Sequence, residues 1–291
     1  MQNQKKYLII SDLDGTLLNS EGKLTPNTID YIKELTSQGH IFCIATGRPV
    51  RGSIDIYKQL GLNSIMVNYN GSYISNPSDP NFSDLDLTFS KEIAKDILKT
   101  SEVRNIISNA FLESKDSEIQ LTKFDDESLR KDFLKFYHVD ILDPYMKNLN
   151  NNPDNLEHDI NALLLYVDDN NVSQFDSLMF WIKNVSPYLQ VRMINLPHSG
   201  IMVEVNTMFA DKSMGLNYLA SYYGIPKDRI LAFGDGDNDM RMLSEAKYGF
   251  AMKNGRDTAK MSARHITKFT NNEDGVIWEI KYFLNHIDKI N

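Results

Sequence analysis

Both ends of the chain alternate short apolar runs with amphipathic stretches, while the middle follows a different rhythm. The first run, Tyr7-Leu8-Ile9-Ile10, is unbroken and partly β-branched, as in a strand buried on both faces of a parallel sheet. It stops abruptly at Ser11-Asp12-Leu13-Asp14-Gly15-Thr16, where Gly15 permits a sharp turn. Thr25-Pro26 marks a helix start, with Ile29, Ile32 and Leu35 as its apolar stripe and Gly39 as its end. A second run, Ile41-Phe42-Cys43-Ile44-Ala45, leads into Thr46-Gly47-Arg48-Pro49. After another helix closing at Gly61-Leu62, Ile65-Met66-Val67 leads into Asn68-Tyr69-Asn70-Gly71. Strand, helix, strand, helix, strand predicts right-handed crossovers and a parallel sheet.

The rhythm changes at the turn-rich Asn76-Pro77-Ser78-Asp79-Pro80. Beyond it the pattern predicts a helix carrying Ile93, Ile97 and Leu98, hairpin-like strands within 106–121 and a helix over 129–136. An Asn-rich loop over 138–158 has no regular period. Next come a strand over 162–167, a helix with Val172, Phe175, Leu178, Met179 and Ile182 on one face, and strands over 190–194 and 201–205. The α/β rhythm then returns. Lys212 to Tyr223 reads as a helix stopped by Gly224-Ile225-Pro226, and Ile230-Leu231-Ala232-Phe233 as a strand running into Gly234-Asp235-Gly236-Asp237-Asn238-Asp239. A helix with Met240, Leu243 and Ala246, a last strand over 248–252 and an amphipathic C-terminal helix with Ile277, Ile280 and Leu284 follow. The fold class expected is α/β: a Rossmann-like parallel-sheet core over 1–81 and 206–291, interrupted by an inserted α+β cap domain over 82–205.

Composition narrows the function classes. With 291 residues the chain has room for two domains, and a formal net charge of −8 argues against a general nucleic-acid binder, which would present a basic face. The single cysteine, Cys43, lies inside an apolar run, so no disulfide framework is expected and a reducing, cytoplasmic setting fits. No stretch approaches the roughly eighteen consecutive apolar residues of a membrane span, and no signal peptide precedes the first strand. Nothing in the pattern predicts more than a monomer or weak homodimer.

The candidate chemistry lies where predicted strands end, which is where ligands of open α/β sheets bind. Asp12 and Asp14 are two residues apart, and a continuing strand would project both from one face, crowding like charges. A divalent cation would relieve that repulsion and leave one carboxylate oriented to attack phosphorus. Asp12, Asp14 and Asp235 together suit one small hard cation, and the absence of clustered His or Cys favours Mg²⁺ over zinc. Lys212, the Thr46 hydroxyl and the Gly47 N–H would meet the charge that spreads over the transferring phosphoryl oxygens. Asp14, turned away from phosphorus, is better placed to protonate the leaving alkoxide and then to activate water. A lone lysine at a helix start or a single Thr-Gly would be unremarkable; their convergence with the aspartates at one sheet edge is the signal.

With Asp12-Leu13-Asp14-Gly15-Thr16, Thr46-Gly47-Arg48, Lys212 and Gly234-Asp235-Gly236-Asp237-Asn238-Asp239-Met240, the chain resembles haloacid dehalogenase superfamily phosphatases. The resemblance is to the Cof-like subfamily with a type B class II cap, and Asn271-Asn272-Glu273-Asp274-Gly275-Val276 also matches that subfamily's tail. It implies a nucleophile at Asp12 and an acid/base at Asp14. Mg²⁺ would be held by Asp12, the carbonyl of Asp14 and Asp235, with Asp239 in support. Phosphate would be held by the Leu13 N–H, Thr46, Gly47, Lys212 and Asn238. One departure is Met252-Lys253-Asn254-Gly255, where the family often has Met-Gly-Asn-Ala. The implied activity is hydrolysis of a small-molecule phosphate ester, a sugar phosphate or phosphorylated cofactor, through a phospho-aspartyl intermediate. A sugar phosphomutase and a non-catalytic phosphometabolite-binding protein are the alternatives on the same core, with neither a nucleic acid nor a membrane as partner.

Overall fold

Four consecutive buried residues, Leu8-Ile9-Ile10-Ser11, form β1 (Leu8–Ser11), and each buried aliphatic side chain there contributes about 1.5–3 kcal/mol of hydrophobic stabilisation. The computed structural model describes residues 5–115, 117–123, 125–136, 139–143 and 146–286. These divide into two compact units, the first made of the chain through Gly47, Ser53–Leu85 and everything from Asp211, the second of Arg48–Gly52 and Asp86–Ala210.

In the first unit, α1 (Pro26–Ser37) starts at Thr25, whose hydroxyl accepts the Thr28 N–H at 3.1 Å, with Pro26 at the first helical position. β2 (Ile41–Ile44), α2 (Ile54–Gln59), β3 (Met66–Asn68) and β4 (Tyr73–Ser75) follow, and β5 (Leu85–Asp86) straddles the boundary between the units. The second unit contains α3 (Lys91–Lys99), α4 (Ser101–Ile106), β6 (Asn109–Glu113), β7 (Glu118–Gln120), α5 (Glu127–Phe136), β8 (Ala162–Val167), α6 (Phe175–Val185), β9 (Leu189–Asn195) and β10 (Ile201–Thr207). The chain re-enters the first unit at α7 (Lys212–Tyr223) and continues through β11 (Ile230–Gly234), α8 (Met240–Glu245), β12 (Tyr248–Ala251), α9 (Asp257–Ser262), β13 (His265–Ile266) and α10 (Gly275–His286).

The main sheet of the first unit is parallel, in the order β13-β12-β11-β1-β2. β1 lies between the two halves of the sequence, with Leu8 opposite Ile41 on one side and Ile230 on the other. Two details depart from the expected pattern. β3 is three residues long and pairs antiparallel with β4, because the chain reverses at Tyr69 and Asn70, both with positive φ. A parallel bridge between Ala45 and Val67 and the Thr46 N–H on the Val67 carbonyl link it to the end of β2. β13, two residues long and beyond the expected last strand, is too short to register as an apolar run.

The second unit holds an antiparallel sheet in the order β7-β6-β8-β10-β9. Ile97, Leu98, Val103, Leu178 and Ile182 of its helices share a core with Leu163, Leu165, Val203 and Val205 of the sheet. The unit runs over 86–210 rather than 82–205 and adds the loop 48–52. Arg51 explains the addition: its guanidinium lies 2.7 Å from Glu113 and 2.6 Å from Glu118, two almost fully buried carboxylates on β6 and β7. Burial raises the Glu118 pKa and the Glu113 charge adds to this, while Arg51 offsets part of the rise. The Asn-rich loop carries one 3₁₀ turn, Pro153–Asn155, and residues 138, 144 and 145 of it lie outside the described residues. No described helix is long and apolar enough to cross a membrane.

Candidate active site

Asp12 extends the β1 ladder by one bond, its N–H donating to the Phe233 carbonyl at 3.0 Å. The chain does not continue as a strand. Leu13–Leu17 form a tight helical turn that is broken at Asp14 (φ −72°, ψ 128°) and at Gly15 (φ +70°), closed by the Leu18 N–H on the Leu13 carbonyl at 2.8 Å. A side chain on Gly15 would collide with the Asp235 carboxylate, so glycine meets two demands at once. The same-face argument for Asp12 and Asp14 therefore fails, because their separation comes from a turn. The carboxylate oxygens that converge, within 4.8 Å of one another among the described residues, belong to Asp12, Asp235 and Asp239. The Asp14 carboxylate is not one of the three.

Lys212 stands at the first position of α7, whose cap is Asp211 accepting the Ser213 N–H at 2.7 Å. It is not a solvated charge but a fully buried one. Its Nζ donates to Asp12 Oδ1 and to Asp239 Oδ1, both at 2.7 Å. The other oxygen of Asp239 accepts the N–H groups of Asp235 at 3.0 Å and Gly236 at 2.9 Å, which folds the 234–239 turn around it. Thr16 Oγ1 donates to Asp235 Oδ1 at 2.9 Å and orients that carboxylate.

Two of the three carboxylates thus share one ammonium, and the third, Asp235, stands beside them. Burial raises the Asp12 pKa well above the ordinary carboxylate range; Lys212 pulls it down, and Asp239, Asp235 and Asp14 push it back up. Asp235 is pushed up to about 7, mainly by burial and then by Asp239, with Thr16 and Lys212 offsetting part of the rise. Burial works to lower the Lys212 pKa, yet Asp12 and Asp239 outweigh it and raise it. A cluster of three acids and one base, partly buried and short of positive charge, suits a divalent cation. Its donors are all oxygen, which matches Mg²⁺.

Thr46 and Gly47 follow β2 on the same sheet edge. Thr46 is buried; its N–H donates to the Val67 carbonyl at 2.9 Å and its carbonyl accepts the Asn70 N–H at 3.0 Å. Asn70 adopts a left-handed conformation (φ 55°) that asparagine tolerates well. Its side-chain oxygen accepts from Asn238 Nδ2 at 2.8 Å, and its amide backs closely onto Gly47. Asn238, Thr46 and Gly47 are therefore joined through Asn70. Asp12, Lys212, Asp239 and Asp235 form one connected set, and Leu13, buried, follows Asp12 directly.

Three further residues shape the site. Thr16 lies in the turn after β1 and Asn70 in the reversal after β3, positions whose roles depend on partners far away in sequence. Asn254 donates to the Gly15 carbonyl at 2.7 Å and accepts the Asn271 N–H at 2.9 Å, tying the Asp12 turn to the tail; sequence distance hid this. Lys253 is exposed, and its backbone N–H donates to Thr267.

A sequence model of haloacid dehalogenase-like hydrolases matches residues 9–280. The chain is 32% identical, over 97% of its length and 98% of the relative's, to the 5-amino-6-(5-phospho-D-ribitylamino)uracil phosphatase YitU of Bacillus subtilis. It is 28% identical, over 95% of each chain, to the 5-amino-6-(5-phospho-D-ribitylamino)uracil phosphatase YcsE of the same organism. Among solved structures, a haloacid dehalogenase-like hydrolase from Bacteroides thetaiotaomicron superposes with a TM-score of 0.78 at 21% identity, covering 96% of this chain and 100% of the other.

Proposed function

Because the chain belongs to the haloacid dehalogenase-like hydrolases, we propose that it is a Mg²⁺-dependent phosphatase of small phosphorylated metabolites, acting through a phospho-aspartyl intermediate on Asp12. Hydrolysis of phosphate esters itself follows from the family and from the two named phosphatases. The observation that carries the finer reading is the buried Lys212 gripping Asp12 and Asp239 beside Asp235 at the carboxyl edge of the sheet. The two relatives' names favour a primary phosphate of a ribityl chain on a heterocycle as substrate. In this reading the second unit selects among leaving groups, and the enzyme works in the cytoplasm.

Asp12 Oδ attacks phosphorus, and the ester oxygen leaves with a proton from the Asp14 carboxyl. Asp14, now a carboxylate, removes a proton from water as that water attacks the acyl phosphate, releasing inorganic phosphate and restoring Asp12. Lys212 keeps the attacking carboxylate in place. Thr46, the Gly47 N–H, the Leu13 N–H and Asn238 bind the non-bridging oxygens. Asp12, Asp235 and the Asp14 carbonyl would hold Mg²⁺, with Asp239 in support; the ion supplies neutralisation of the phosphoryl charge.

Activity on 5-amino-6-(5-phospho-D-ribitylamino)uracil, followed as free phosphate, should vanish in EDTA and return with Mg²⁺ but not with Ca²⁺, whose looser shell misaligns the attack. Full turnover in EDTA would exclude the metal-dependent reading. Asp14→Asn should lower kcat by about 10²–10⁴-fold on alkyl phosphates. The loss should be much smaller on p-nitrophenyl phosphate, whose leaving group needs no proton. Equal losses on both esters would place Asp14 in another step.

A further inference from the structure

We propose that the first unit binds a small phosphate- or carboxylate-bearing anion in a second cavity, at the edge of the main sheet where the strands begin, using Lys6, Lys33 and His40. The carboxylate cluster stands beyond the other ends of the same strands, so this is a separate site. The cavity has a volume of about 700 Å³, within the range of small-ligand pockets. It is lined by the end of α1, the entry to β2, the loop between α2 and β3, and Tyr223 at the end of α7.

Its charge is one-sided. Lys6, Lys33 and His40 line it, and no Asp or Glu does, although the chain as a whole carries a net charge of −8. Neither lysine makes an ion pair among the described residues. The Lys33 stem lies against Gly61, where a Cβ would sit 3.4 Å from Lys33 Cε.

His40 is the decisive group. It is 4% exposed, and its Nδ1 accepts the Tyr7 N–H at 3.2 Å. Because Nδ1 accepts an N–H, it carries no proton and the ring's proton resides on Nε2; burial and then Lys6 lower the pKa in the same direction. That Nε2–H is buried and has no acceptor. A buried donor without a partner is costly, so the position calls for a ligand acceptor. Nearby carbonyls are already engaged. Glu34 O accepts from the Gln38 N–H and Ser37 Oγ, Thr36 O accepts the Gly39 N–H, and Phe42 O accepts Ser64 Oγ. Two lysines and a histidine with an unpartnered N–H lining one cavity match an anion rather than a cation or an apolar group.

The test uses the full chain in EDTA, where the metal-free carboxylate cluster repels anions. Isothermal titration with inorganic phosphate, ribose 5-phosphate and citrate should show one equivalent of at least one probe bound, and the His40 Nε2–H resonance should shift on binding. Lys6→Ala/Lys33→Ala alters two exposed residues and should bind the same probe at least tenfold more weakly. Its Mg²⁺-supported kcat/KM on p-nitrophenyl phosphate should stay at the wild-type value. Phosphate-only or citrate-only binding would identify the ligand head group. Absence of binding by all three probes, equal affinity in the double variant, or an unmoved His40 resonance would overturn the site.

Discussion

Asp12→Asn is expected to abolish turnover, with kcat on phosphate monoesters falling on the order of 10⁴–10⁶-fold, while the protein remains folded. An amide does not attack phosphorus, and no second carboxylate can take over: Asp239 spends both oxygens on Lys212 and on the 234–239 turn, and Asp235 is fixed by Thr16. The substitution also removes one of three crowded negative charges, and Asp239 keeps its bond to Lys212. The metal-free melting temperature should therefore hold or rise, since burial already disfavours the ionised form of Asp12. Rapid-quench kinetics with labelled substrate should trap phospho-enzyme in the wild type and none in the variant. A variant within tenfold of wild-type activity would rule out covalent catalysis by Asp12.

Lys212→Met is expected to damage both stability and activity. The methionine fills similar volume, so the change isolates the charge. Asp12 and Asp239 would lose the cation that each meets at 2.7 Å, and Lys212 is fully buried, so solvent does not screen the loss. Removing one partner of such a buried group costs about 3–5 kcal/mol. Turnover should fall by about 10²–10³-fold, because the attacking carboxylate is no longer held and the phosphoryl charge loses a donor. The sign of the pH effect follows from the same charges. Without Lys212 the raised folded-state pKa of Asp12 rises further, so the stability deficit should be largest at neutral pH and shrink as acid protonates it. Urea titrations at neutral and mildly acidic pH would check both size and direction. A deficit under about 1 kcal/mol at neutral pH would mean that the pair is far more solvated than its burial indicates.

Much of this site can be read in the sequence because strand ends are local events. Asp12, Thr46 and Asp235 each follow an unbroken apolar run, and a strand buried on both faces must release its chain at the sheet edge. Lys212 was legible as a helix start, yet nothing in its neighbourhood foretold complete burial, which depends on carboxylates 200 and 27 residues away. Asn70 could not be recognised for the same reason: its partner Asn238 is 168 residues distant, and its left-handed backbone is a tertiary outcome. The loop 48–52 reads as part of the first unit by position. Arg51, meeting Glu113 and Glu118, 62 and 67 residues further on, ties it to the second.

The place of β1 in its sheet dictates an order of assembly during synthesis. Its partner β2 is made early, but its other partner, β11, leaves the ribosome only after the whole second unit has been translated. Arg51 also precedes Glu113 and Glu118, so every residue that the second unit requires is present once Ala210 has emerged. The second unit is thus complete in the chain before the first, while Asp12, with one side of β1 unpaired, waits for Lys212 and Asp235 to be made. Once folded, residues 86–210 no longer count as flexible loop in the β1–β11 closure, which lowers its entropic cost. Early folding of the insertion thus offsets the sequence distance that the insertion itself introduces between the motifs.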